Sequence, residues 1–300
     1  MNGGRLASRG GLDSTLRVGP VRYRLRTPLP SVARDIRAAY QGYPFDDPDD
    51  CAEFEVNLRP TRWWRRFIRP QITVRTDIHT PMVPLPGSMG LLAAEMGMNL
   101  QVALGMRRCL LLHASTVERD GLAYIFPAGS GSGKSTLSAA LGFSGDWRFM
   151  GDEFALIDLD TGLALPFPRP ISLKNQSIAV MRALARDGVF SAAFETSHKG
   201  TISFLTPPAD AIRRMNEPAR PAAIIFPTFE AGAAPHGEAM TRADVFVHLA
   251  SSSANFDFLG EAGFETMWRL AETCPGFMLR YGSTAAAIEL VDAVRRTVTP

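Results

Sequence analysis

Residues 124–136 read Tyr-Ile-Phe-Pro-Ala-Gly-Ser-Gly-Ser-Gly-Lys-Ser-Thr, an apolar run that opens into a glycine-rich turn and closes on a lysine and two hydroxyls. A turn of this kind between a strand and a helix aims several backbone N–H groups at one point, where the positive end of the helix adds its field. That cradle suits the phosphates of a nucleoside triphosphate, with Lys134 reaching the outer phosphates and Ser135 ligating Mg²⁺. Gly129, Ser130, Gly131, Ser132, Gly133, Lys134, Ser135 and Thr136 are therefore the expected nucleotide-binding residues, with ATP and Mg²⁺ as cofactors. Ala128 stands where the first glycine of the pattern usually falls, and the glycines at 129, 131 and 133 keep the turn permissive enough to form without it.

One helix and one short strand further on come Asp152 and Glu153. Ligands of open α/β sheets sit at the C-terminal ends of strands, where the glycine-rich turn and this acidic pair both fall. Phosphoryl transfer asks a protein mainly for positioning and charge neutralisation: a metal on the outer phosphates, a lysine, and a carboxylate beside the attacking hydroxyl. Asp152 and Glu153 are the candidates for holding Mg²⁺ and accepting a proton. A Leu-Ser-Gly-Gly signature is absent, which excludes an ABC-type ATPase, and the His-Arg-Asp and Asp-Phe-Gly motifs of eukaryote-like protein kinases are missing too.

Among 32 basic residues only Lys134, Lys174 and Lys199 are lysine. Arginine replaces lysine freely on a surface, but not where a compact ammonium is required. Lys174, in a proline-braced segment at 168–175, and Lys199, in the stretch His198-Lys-Gly-Thr, are therefore further candidates for phosphate contacts. Arg169 and His198 suit ordinary surface roles equally well.

The elements that must position these groups follow from pattern. Residues 1–15 are rich in Gly, Ser and Arg without apolar period and read as a flexible tail. A hairpin at 16–25, a short helix at 30–40 and alternating strands at 54–58 and 71–75 make residues 16–88 a small α+β region. Between those strands, residues 59–69 interleave five arginines with two tryptophans and a phenylalanine, a composition that could grip RNA, an anionic membrane surface or an acidic partner. The expectation is the plainer one, aromatics on the core and arginines in solvent.

Residues 89–300 are expected to form the catalytic domain. It opens on a buried Met-, Leu- and Ala-rich helix over 89–106, followed by a hairpin through Arg119-Asp120-Gly121 that delivers the glycine-rich turn. A strand at 147–150 and a hairpin around 160–162 come next, and a core strand at 222–226 with helices and a terminal strand completes the domain.

The run Leu-Leu-His113-Ala-Ser-Thr-Val at 111–117, then residues 128–136, then Arg-Phe-Met-Gly-Asp152-Glu153 resembles the catalytic domain of HPr kinase/phosphorylase. It is similar more closely to the bacterial HprK-related kinase A group, and the equivalents of 168–175 and 198–201 extend the likeness over most of the chain. The resemblance implies an α/β fold, the P-loop NTPase core of the HPr kinase/PEP-carboxykinase type with a small α+β N-terminal region. It implies Asp152 as the base that deprotonates a seryl hydroxyl, Glu153 as an acidic position near the metal, and His113 beside the loop, orienting phosphate or a carboxylate. Glu153 replaces the family's aspartate, and the Glu followed by Arg-Gly-Leu-Gly of true HPr kinases is not found.

The expected activity is ATP- and Mg²⁺-dependent transfer of phosphate to a hydroxyl, with a protein serine as the first acceptor. A nucleotide-binding regulatory switch or ATPase and a small-molecule kinase are the alternatives. The partner is thus an unidentified protein or small-molecule phosphoacceptor, and ring-like homo-oligomers are what the family analogy implies. A net charge of +2 offers no overall field for nucleic acid, and no apolar run is long enough for a membrane span. Three scattered cysteines and no signal-peptide core fit the cytoplasm.

Overall fold

The computed structural model describes residues 10–47, 50–78, 82–129, 131–196 and 200–298. The fold is mixed α/β with several sheets, and the chain divides into two compact units, residues 1–105 with 191–194 and residues 106–190 with 195–300.

The first unit contains β1 (Leu12–Val18), β2 (Val21–Thr27), α1 (Pro30–Ala39), β3 (Phe45–Asp46), β4 (Phe54–Pro60), β5 (Gln71–Thr76), β6 (Leu85–Pro86) and α2 (Gly90–Gly105). The strands form one sheet in the order β3-β1-β2-β4-β5-β6, antiparallel except for the β2–β4 pair. Alternation along β2 buries Val21, Tyr23 and Leu25 on the face that α1 covers, where Val32 and Ile36 are buried too.

Two expected boundaries move. The tail was expected to run to residue 15, but β1 already begins at Leu12, because Leu12 and Leu16 alternate into the core; residues 1–9 lie outside the described residues. The helix expected to open the catalytic domain belongs to this unit instead. A Cβ at Gly97 would stand 2.8 Å from both Val56 and Val74, so the helix backbone lies directly on β4 and β5. The buried Tyr40 hydroxyl also donates to Glu95 Oε1 at 2.6 Å. Apolar composition announces that a helix is buried, not which sheet covers it.

The second unit starts with β7 (Cys109–Leu112), β8 (Ala114–Arg119), β9 (Leu122–Pro127), α3 (Lys134–Phe143), β10 (Arg148–Gly151), β11 (Ala155–Asp158), β12 (Ala164–Leu165), β13 (Ile171–Lys174) and α4 (Gln176–Leu184). It continues through β14 (Phe194–Thr196), β15 (Gly200–Leu205), α5 (Ala209–Arg213), β16 (Arg220–Phe229), β17 (His236–Met240), α6 (Arg242–Ser252), α7 (Phe256–Thr273), β18 (Gly276–Tyr281) and α8 (Thr284–Val298). The central sheet has the order β10-β8-β9-β16-β18-β17, with β9, β16 and β18 parallel. β7, β11 and β12 make a smaller sheet beside it, and β13 pairs antiparallel with β15.

Both faces of the central sheet are covered at β9, which therefore reads as a continuous apolar run. Along β9, Tyr124 and Phe126 pack with Leu137 and Leu141 of α3 and Val291 of α8, while Ala123 and Ile125 pack with Val245 and Leu249 of α6 and Met267 of α7. The β8–β9 turn is the expected one: Asp120 and Gly121 both take positive φ, the geometry that matches the twist of two paired strands. Arg148 of β10 and Glu118 of β8 stand opposite each other in register and form a buried ion pair at 2.6 Å.

Candidate functional site

Strand directions decide which residues meet. β8 is antiparallel to both β9 and β10, so β9 and β10 run the same way and end at the same sheet edge. The glycine-rich loop leaves β9 there, Asp152 follows β10 there, and His113 immediately precedes β8 there. Three stretches distant in sequence thus converge within one unit.

The loop turns into α3 at Gly133, which has φ of +88° and caps the helix. A Cβ at this position would lie 3.0 Å from Phe229 Cβ and 3.0 Å from Tyr281 Oη, so the glycine answers both a left-handed backbone and a tight approach. The Ser132 carbonyl accepts from the Phe229 N–H at 3.1 Å, which ties the loop to the end of β16.

Lys134 is buried and donates from Nζ to His113 Nε2 at 3.2 Å. His113 in turn donates from Nδ1 to the Glu153 carbonyl at 3.0 Å, and its own backbone N–H is anchored on the Ser252 carbonyl at 2.7 Å. Burial and then the Lys134 charge push the imidazole pKa down, opposed by Glu153, so the ring is neutral and its tautomer is set by these two bonds. Burial also lowers the Lys134 pKa, against the pull of Asp152 and Glu153.

Asp152 is 5% exposed, with Oδ1 accepting from the Ser115 hydroxyl at 2.7 Å. Burial raises its pKa above the usual carboxylate value; the Lys134 charge opposes this, Glu153 reinforces it, and hydrogen bonding from Ser115 and Ser135 pulls back down. Among the described residues its other oxygen, Oδ2, is buried without a hydrogen-bond partner, as are Ser132 Oγ and Tyr281 Oη. Buried polar atoms are rarely left unpaired in a folded protein, and these three stand in or beside the glycine-rich loop.

Beside the loop lies a cavity of about 440 Å³ lined by His113, Gly129, Gly131, Ser132, Gly133, Lys134, Ser135, Thr136, Glu153 and Lys174 among others. Both described lysines, Lys134 of the loop and Lys174 of β13, line this space, while Ser130, His198 and Lys199 lie outside the described residues. Asp152 does not line the cavity but sits behind it, and Glu153 does. Arg169 is buried and also absent from the lining.

Sequence reasoning missed Ser115, Asn175, Phe229 and Tyr281. Ser115 offered no clear signal, since its strand reads Ala-Ser-Thr-Val-Glu-Arg and holds three further polar residues. Asn175, with φ of +51°, turns β13 into α4 at the cavity wall and accepts from the Thr201 N–H at 3.1 Å through Oδ1. Asn255, given no role beforehand, is structural: its buried amide accepts from the Leu111 N–H and donates to the Met106 and Cys109 carbonyls, pinning the start of β7.

Among the described residues no cluster of three His, Cys, Asp or Glu side chains could hold a metal by itself. The donor set near the loop, the Ser135 hydroxyl with the Asp152 and Glu153 carboxylates, is of the oxygen type that would suit Mg²⁺. No helix among the described residues is long and apolar enough to cross a membrane.

No family model matches the chain, and no curated protein matches it. Among solved structures it is similar to the Hpr(Ser) kinase/phosphatase from Coxiella burnetii, at 11% identity over 62% of this chain and 95% of that one, with a TM-score of 0.28. A likeness of that size carries no functional argument. The functional reading rests on the geometry of the loop and its neighbours.

Proposed function

We propose that the chain is a Mg²⁺·ATP-dependent kinase that transfers phosphate to a hydroxyl. The observation that carries this reading is the set of three unpartnered polar atoms, Asp152 Oδ2, Ser132 Oγ and Tyr281 Oη, around a loop that ends in a buried lysine. Phosphate and its metal would satisfy them together. ATP would supply the phosphoryl group and Mg²⁺ would neutralise charge on its outer oxygens.

Each residue's task follows from its exposure. The loop N–H groups and Lys134 hold the phosphates, and His113 keeps the Lys134 ammonium at a fixed point by accepting from it. Ser135 and the buried Asp152 would hold Mg²⁺, the pairing of loop hydroxyl and strand-end carboxylate found in nucleotide-binding loops of this kind. Glu153 reaches the cavity and is placed to orient an acceptor hydroxyl or take its proton, which reverses the division of labour expected from the resemblance. Lys174, which also lines the cavity, adds a second ammonium.

The cavity has the volume of a site for one drug-sized ligand. A nucleotide occupying it leaves the acceptor to approach from outside, which favours a hydroxyl presented by a protein, a serine in the first instance.

The test is incubation of the purified chain with γ-labelled ATP, Mg²⁺ and cell lysate, beside Lys134→Ala, Asp152→Asn and Glu153→Gln. Label in one protein band, lost in all three variants, is the expected result. Glu153→Gln should keep Mg·ATP affinity while losing turnover by about 10²-fold or more. Failure of the parent chain to bind Mg·ATP in a calorimetric titration would refute the reading.

A further inference from the structure

The excursion between β4 and β5 was expected to bury its aromatics and leave its arginines in solvent; four of its five arginines are exposed, but of the aromatics only Trp64 is half-buried. Trp63 is 78% exposed, Phe67 69% and Ile68 62%, in a segment whose only regular structure is a single 3₁₀ turn over Trp63–Arg66. Arg59, Arg62, Arg66 and Arg69 are exposed around them, and among the described residues none of these pairs with a carboxylate. From residue 56 to residue 76 the chain carries six arginines and no acidic residue, although its overall net charge is only +2.

We propose that residues 59–69 dock on an anionic lipid bilayer. Exposed Trp, Phe and Ile at the tip of a strand connection supply the apolar contact that enters the headgroup boundary, and the arginines around them supply attraction to anionic headgroups. This surface lies wholly within the first unit and does not depend on the function proposed for the glycine-rich loop.

A nucleic-acid groove would combine the same residue types differently. Stacking needs free ring faces, whereas the Arg65 guanidinium already lies 4.5 Å over the Trp64 ring and that of Arg66 lies 4.9 Å over Phe67. An exposed isoleucine offers no ring face on which a single-stranded base could stack. Cations held on aromatic rings remain able to meet lipid phosphates while ring edges and Trp63 and Ile68 enter the interface.

Flotation of the full chain with vesicles of phosphatidylcholine, with and without a minority of phosphatidylserine, tests this. Binding is expected only with phosphatidylserine, falling with added salt, and weakening about fivefold for each of Arg62→Gln, Arg65→Gln, Arg66→Gln and Arg69→Gln. The triple variant Trp63→Ser, Phe67→Ser, Ile68→Ser should lose binding with an unchanged thermal midpoint, since these side chains are already in solvent. No association with phosphatidylserine vesicles, equal association with neutral ones, indifference to these substitutions, or tighter binding of single-stranded RNA than of vesicles would each overturn the proposal.

Discussion

Ser115→Ala isolates the support behind the candidate metal-holding carboxylate. The Ser115 hydroxyl donates to Asp152 Oδ1 at 2.7 Å in a fully buried setting, where the carboxylate has no other hydrogen bond closer than this one. A hydrogen bond to a charged group is worth about 1.5–3 kcal/mol, and there is no solvent at Asp152 to replace it. Removing it favours the protonated acid, whose pKa burial has already raised, so a proton competes better with Mg²⁺ at this site. Taking the lower end of that range, the Mg²⁺ concentration required for half-maximal phosphate release from ATP should rise about tenfold on the acid side of the pH profile. At alkaline pH, where Asp152 is ionised in parent and variant alike, the difference should close. The assay is Mg²⁺ dependence of phosphate release across pH, with water as acceptor. An equal loss at every pH would make Ser115 a packing residue only, and no loss at all would remove Asp152 from the metal site.

Three further outcomes follow from the same geometry. Folding depresses the His113 pKa below its ordinary 6.5, so the stability due to the neutral ring is complete above that value and is lost as pH falls through the folded one; His113→Gln should flatten that part of a thermal-midpoint profile against pH. Gly133→Ala places a side chain on a residue with φ of +88°, at a cost of about 1–2 kcal/mol before contacts with Phe229 and Tyr281 are counted, and should lower the midpoint by several degrees and abolish Mg·ATP binding by calorimetry. Arg148→Ala leaves the buried Glu118 with only the longer ion pair to Arg214, at 3.4 Å, and removes the donor from the Arg214 and Glu217 carbonyls, so chemical denaturation should show a loss approaching the roughly 3–5 kcal/mol of a broken buried pair, whereas a double replacement of Arg148 and Glu118 by methionine should recover part of it.

What the sequence disclosed and what it hid divide along one physical line. The loop was legible because its chemistry and its backbone demands fall in consecutive residues: glycines for the turn, then lysine, serine and threonine opening a helix. Asp120-Gly121 and the Asp160-Thr161-Gly162 turn were legible for the same reason, since local turn chemistry fixes a hairpin without reference to the rest of the chain. Ser115, Phe229 and Tyr281 were not, because their meaning lies in partners on other strands. The same holds for α2, whose composition announced burial while the sheet receiving it was decided by the fit of Gly97 on Val56 and Val74. In residues 59–69 the pattern of arginine and aromatic side chains was visible, but the direction in which they point was not.

The distribution of buried charge explains why the candidate site sits where it does. Lys134, Asp152 and the neutral His113 are packed at one sheet edge at a cost in desolvation that their contacts offset only in part, as the lowered lysine and raised aspartate pKa values both indicate. An ion pair serving stability would show the opposite shifts, each partner holding the other in its charged form. Glu118 and Arg148, equally buried but joined in a short bond with further carbonyl acceptors, are the internal contrast: their groups are satisfied within the protein. At the loop, satisfaction is left incomplete, and a bound anion with its cation is what would complete it. Mg·ATP should therefore raise the thermal midpoint of the parent chain, and do so less for Asp152→Asn, where the buried carboxylate has already been removed.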